Sequence, residues 1–156
     1  MRFAPLAIAL MATALPLTSP AQDTVPTADE QILLKQVQTD KRAIYAQNLG
    51  LTEAESKAFW PVYDEYELKA KKLDDRFIAL VNEFAEKYDT LTDADAKSML
   101  HEKLKIEKDR IALKDKYTYK IAKVLPAKKA LRYSQLETRI EILLRRNVYS
   151  MIPLAR

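Results

Sequence analysis

A single glycine, Gly50, in a chain of 156 residues narrows the available folds more than any other feature. Tight β-hairpins turn on residues with positive φ, which glycine adopts without strain. One glycine cannot supply the turns of a β-rich protein, so the chain is predicted to be all-α. The same scarcity removes glycine-rich phosphate loops. Cysteine is absent, which excludes thiol catalysis and thiolate metal ligands.

The N-terminus reads as a targeting segment. Arg2 is followed by the apolar run "FAPLAIALMATALPL", and Ser19 and Ala21 occupy the small-residue positions of a cleavage site. Residues 1–21 are therefore expected to be a signal peptide cut after Ala21, with a weaker site after Ala14. The destination implied is the periplasm. The run is too short and proline-broken to span a membrane, and no later segment approaches ~20 apolar residues, so no membrane span is predicted. Residues 22–27 read as a disordered leader, and 28–156 as one helical domain.

Charge is unevenly spread. From Gln22 to Tyr119 there are 16 basic and 20 acidic residues; from Lys120 to Arg156 there are nine basic and two acidic. The C-terminal quarter is a basic arm on a mildly acidic body, suited either to a solvated face or to an anionic partner.

Four helices are predicted. The first spans Ala28 to Asn48, with Gly50 at its left-handed end and a stripe of Leu33 or Leu34, Val37, Ile44 and Tyr45. It is only modestly amphipathic and is expected on the surface of the others. The second starts at Thr52 with a capping box to Glu55. Its seam, Phe59, Tyr63, Tyr66, Ala70, Leu73, Phe77, Leu80 and Phe84, has the alternating steps of four and three by which helices pack along their length. Pro61 falls inside it, so either the helix kinks or two helices meet there; the unbroken phase of the stripe favours a kink, with Phe59 and Trp60 at the bend.

The third helix is predicted from Asp93 to Val124, capped by Thr92 and Asp95. It carries two apolar ridges. One holds Met99, Ile106, Leu113, Tyr117 and Val124; the other holds Leu100, Leu104, Ile111, Thr118 and Leu125. A charged line, Lys103, Glu107, Arg110 and Lys114, runs between them. One ridge must face the second helix, folded back as a hairpin. The other faces the fourth helix, a second subunit or a client. Pro126 starts a basic fourth helix, Ala127 to about Asn147, with a stripe of Tyr133, Leu136, Ile140 and Leu143. The architecture expected is thus a long kinked helical hairpin with an additional N-terminal helix and a basic C-terminal helix. The tail "MIPLAR" is expected to dock on it.

No residues suggest catalysis, a cofactor or a metal. His101 is the only histidine and has no second imidazole or thiolate to share a transition metal. Ser56, Ser98, Ser134 and Ser150 stand in no nucleophile motif. Asp89, Asp93 and Asp95 lack the glycine and terminal glutamate of a calcium loop.

The segments "NLGLTEAESKAFWPVYDEY", "VLPAKKALRYSQLE" and "IPL" resemble the periplasmic Spy/CpxP-like LTXXQ family. The chain departs from it in ending the first motif with Glu55 where the family has Gln, and in reading "LPAKK" where the family repeats "LTPEQ". The resemblance implies long bent helices in a hairpin, often a cradle-shaped antiparallel dimer. It also implies ATP-independent chaperone activity, a part in envelope-stress signalling, or a metal response; His101 and the missing cysteines argue against the last.

The leading functional expectation is a non-enzymatic binding protein that shields unfolded or stress-damaged envelope proteins. Its contact face is predicted at Met99, Ile106, Leu113 and Tyr117, with Arg132 and Arg139 at the rim. A second expectation is a regulator docking on an acidic sensor domain through Arg139, Arg145 and Arg146. A third is a homodimer whose second ridge is only a subunit interface. Nucleic acid is not an expected partner, because export removes the basic arm from it.

Overall fold

The computed structural model describes residues 40–155, which are helical apart from short connections and the C-terminal tail. The expected signal peptide, the expected leader and the predicted start of the first helix lie outside the described residues. α1 is described over 40–49; α2 is Glu53–Lys87, α3 Asp93–Val124 and α4 Ala127–Tyr149. The all-α expectation holds.

The helix boundaries follow their sequence signals. Gly50 takes φ +53°, the left-handed conformation that closes α1. At the head of α2 the Glu55 amide donates to Thr52 Oγ1 at 3.2 Å, and the Thr52 amide donates to Glu55 Oε2 at 2.7 Å. Thr92 and Asp95 repeat the device at the head of α3, at 3.2 and 3.3 Å. Leu125 is extended, as a residue before proline prefers, and Pro126 opens α4. Lys129 Nζ then reaches 2.6 Å to both the Gly50 carbonyl and Glu55 Oε2, tying the α3–α4 corner to the α1–α2 turn.

Pro61 does not split α2, which runs unbroken from Glu53 to Lys87. Its side chain is exposed, as is Lys57, so water can reach the Lys57 carbonyl that proline leaves without a donor. Phe59 is fully buried, and Trp60 flanks it half-buried with an edge-on ring contact at 4.9 Å. The Arg42 guanidinium lies 4.1 Å from the Trp60 ring centroid, within cation–π range.

α2 and α3 form an antiparallel hairpin. Tyr66 meets Tyr117 at 5.7 Å near one end, and Arg76 bridges Glu102 at 2.8 Å and Asp109 at 2.9 Å toward the other. α4 packs beside α3 and does not approach the α2 backbone. α1 fills the space between α2 and α4: the Tyr45 ring sits 5.0 Å from Tyr63 of α2 and 5.4 Å from Tyr133 of α4. The surface position expected for α1 is therefore wrong for its described end. Ile44, Tyr45 and Leu49 are buried with Phe59, Tyr63, Ile121, Leu125, Tyr133 and Ile140 in the main core. A helix with three large apolar residues near its end stabilises more by filling this seat than by lying on a surface.

Candidate partner-binding surface

Among the described residues the most buried charged group is Glu137 of α4, 5 % exposed. It accepts a hydrogen bond from the Tyr66 hydroxyl at 2.7 Å and another from the Tyr45 hydroxyl, while Lys41 Nζ lies 3.3 Å away. Lys41 also pairs with Glu67 at 2.7 Å. Burial opposes the Lys41 charge, but Glu137 and Glu67 outweigh it and hold the ammonium above its ordinary range. Burial, and then the charge of Glu137, push both the Tyr45 and Tyr66 hydroxyls up. These groups are donors and acceptors satisfied by one another. They fasten α1, α2 and α4 together.

The ridge assigned to a partner lies largely inside the molecule. Met99, Ile106 and Tyr117 are buried, and Leu113 is half-buried. The reason is the crossing of α2, whose Tyr66 packs on Tyr117, together with α4, whose Ile140 and Leu144 share a cavity wall with Ile106. The charged line beside that ridge is also absorbed. Lys103 pairs with Glu107 at 2.9 Å, Arg110 with Asp74 at 2.7 Å, and Lys114 with Glu141 at 2.9 Å.

The second ridge stays open from Leu100 to Ile111, whereas Thr118 is half-buried and Leu125 lies in the core. Leu100 is 56 % exposed, Leu104 54 % and Ile111 72 %. At ~1.5 Å per residue these positions span about 16 Å of α3. The ridge joins two depressions. At one end Leu100 borders a groove of about 330 Å³ at the hairpin tip, walled by Phe77, Leu80 and Phe84. The C-terminal tail crosses that groove, and the Leu154 carbonyl accepts from the Tyr88 hydroxyl at 3.1 Å. At the other end Ile111 and Thr118 border a shallow α3–α4 groove of about 620 Å³.

The predicted arginines divide. Arg132 and Arg139 are exposed on α4. Arg145 is turned inward to Glu107 at 3.2 Å and Glu141 at 3.4 Å, and Arg146 is half-buried. The fold therefore does not gather the named contact residues on one surface. Sequence reasoning passed over Ile121 and Glu137, both buried. Each sits four residues after a buried tyrosine, Tyr117 and Tyr133, and that spacing was the signal available.

His101 is exposed on α3. Among the described residues no group of three His, Asp or Glu side chains is placed to hold a metal, and no helix is long and apolar enough to cross a membrane. Comparison with protein-family models, with curated proteins and with solved structures finds no match to this chain.

Proposed function

We propose that the chain is an exported, non-enzymatic helical protein that holds partly unfolded envelope proteins in the manner of Spy/CpxP-like chaperones. The observation that carries this reading is the unpartnered ridge Leu100–Leu104–Ile111. Three large apolar side chains on one exposed helix face are costly to leave in water, and their burial against a client returns that cost. The ridge lies between two open grooves and is not enclosed in a deep pocket, so it favours loose apolar contact over a fixed pose. Lys97, Lys105 and Lys108 on the same helix supply long-range attraction to acidic segments.

The test is aggregation of a chemically denatured protein diluted into buffer, with and without the chain in several-fold molar excess. Suppression is expected. The triple variant Leu100→Ser, Leu104→Ser and Ile111→Ser should lose most of it while its unfolding midpoint stays close to the parent's, because exposed substitutions shift stability by about 0.5 kcal/mol or less each. No protection by the parent chain, or full protection by the triple variant, defeats the proposal.

A second reading rests on the exposed guanidinium groups of Arg132 and Arg139: docking on an acidic sensor domain. Arg132→Glu with Arg139→Glu would then abolish binding to that domain and leave aggregation suppression intact. Arg145 is unsuited to this test, since its reversal would also break the Glu107 and Glu141 pairs.

A further inference from the structure

The groove at the hairpin tip is crossed by the chain's own end. α4 closes at Tyr149, whose ring packs 5.6 Å from that of Phe77 on α2. The Met151 and Ile152 amides then donate to the Val148 and Tyr149 carbonyls at 3.1 and 3.3 Å, a last turn beyond which Pro153 cannot continue the helix. Residues 152–155 are non-helical and form one side of the groove. We infer that this tail is a displaceable strap over a peptide site: the groove beneath it takes an extended apolar segment of another polypeptide when the tail swings away.

Three observations converge on a strap that can be exchanged. The first is incomplete fit. With the tail in place, about 330 Å³ stays open beside Phe77, Leu80, Phe84 and Met99. Of the tail's large apolar side chains only Ile152 is half-buried, whereas Met151 is 69 % and Leu154 88 % exposed. Stabilisation from burial scales with the apolar area covered, so a segment that fills the groove gains more than the tail does. The second is the kind of contact made. The Tyr88 hydroxyl donates to the Leu154 carbonyl at 3.1 Å, and every peptide carries a main-chain carbonyl that can replace it. Lys103, the one charged side chain among the described residues lining the groove, is paired with Glu107 at 2.9 Å, which leaves the site suited to uncharged apolar residues. The third is continuity. Leu100 belongs both to this groove and to the exposed α3 ridge, so release of the tail lengthens that apolar face across the tip onto α2.

As a control on client capture the strap rests on the client-binding reading of the ridge; as a peptide site it stands apart from it, and the experiment separates the two. In the full chain, Ile152→Asp puts a carboxylate into the apolar groove and should drive the tail out. The probe is the end-blocked, dye-labelled peptide MIPLA, the chain's own residues 151–155, followed by fluorescence anisotropy. The variant should bind it about tenfold more tightly than the parent, as for a groove that the parent's tail leaves open about a tenth of the time. Equal affinities, or no binding to the variant, overturn the inference. Adding Phe84→Asp should abolish the gain, and a gain that survives overturns it by placing the peptide elsewhere. Should that double variant lose helicity, amide exchange over residues 77–84 of the Ile152→Asp chain serves instead: the peptide should slow it several-fold, and unchanged exchange overturns the site. Tighter peptide binding without stronger suppression of aggregation supports the strap and defeats the client reading. Suppression by the parent with no gain in peptide binding by the variant does the reverse.

Discussion

Two residues illustrate how position, and not composition, sets energetic importance. Glu137 is one of the two acidic side chains in the basic C-terminal quarter, and it is the one the core is built around. Removing it strands two tyrosine hydroxyls in a dry environment and leaves the Lys41 ammonium with Glu67 alone. Glu137→Ala is therefore expected to cost about 3–5 kcal/mol, whereas Tyr66→Phe, which removes one donor to a charged acceptor, should cost about 1.5 kcal/mol. Urea unfolding midpoints at constant m-value check both. Gly50 matters for the opposite reason. A Cβ added there meets nothing within 4 Å, so its φ of +53° is the whole of the penalty. Gly50→Ala should lose about 1 kcal/mol and Gly50→Asn less, because asparagine tolerates the left-handed region better. Equal losses would show that the side-chain space, and not the backbone angle, is limiting.

At the scale of elements, the two capping boxes set where the hairpin helices begin. Thr92→Ala should destabilise by about 1 kcal/mol, read from thermal or denaturant unfolding. Its partner Asp95 is hydrogen-bonded by Lys87 and by Thr92, which hold its carboxyl down to about 2 from an ordinary 3.8. A depressed carboxylate contributes stability that is present above its unfolded value and is lost as pH falls through the folded one. The start of α3 should therefore weaken between about pH 4 and pH 2, and Asp95→Asn should flatten that part of the stability profile. Glu67 has the opposite sign. Burial raises its pKa despite Lys41, so its contribution is fully present below the ordinary glutamate value of 4.5 and fades as pH rises through the folded one. A profile that rises on acidification from pH 4 to pH 2 would contradict the role given to Asp95. Between elements, Lys129 is the main tie across the core end. Its replacement by alanine should cost about 1 kcal/mol and leave helix content unchanged by circular dichroism.

The molecule as a whole is packed unevenly along its axis. The end containing α1 holds the aromatic cluster of Tyr45, Phe59, Tyr63 and Tyr133, while Phe77, Leu80 and Phe84 near the hairpin tip are only half-buried. Amide exchange should accordingly be slowest around Phe59–Tyr66 and Tyr117–Ile121 and fastest around residues 84–95. Uniform protection along the hairpin would mean that the tip is held by something beyond the tail contact at Leu154.

Sequence alone determined what is local or periodic. The helical class followed from the lack of glycine, the helix starts from Thr52 and Thr92, the end of α1 from Gly50, and the seam of α2 from its alternating steps. These depend on interactions within a few residues, which a sequence displays directly. Tertiary structure decided which of the two α3 ridges is covered, that α1 enters the core, and that Glu137 is buried while Arg139 is not. Both ridges repeat at the same helical period, and rotation of α3 by about 100° exchanges them. Only the arrival of α2 and α4 against Met99, Ile106 and Tyr117 broke that equivalence and left Leu100, Leu104 and Ile111 facing water.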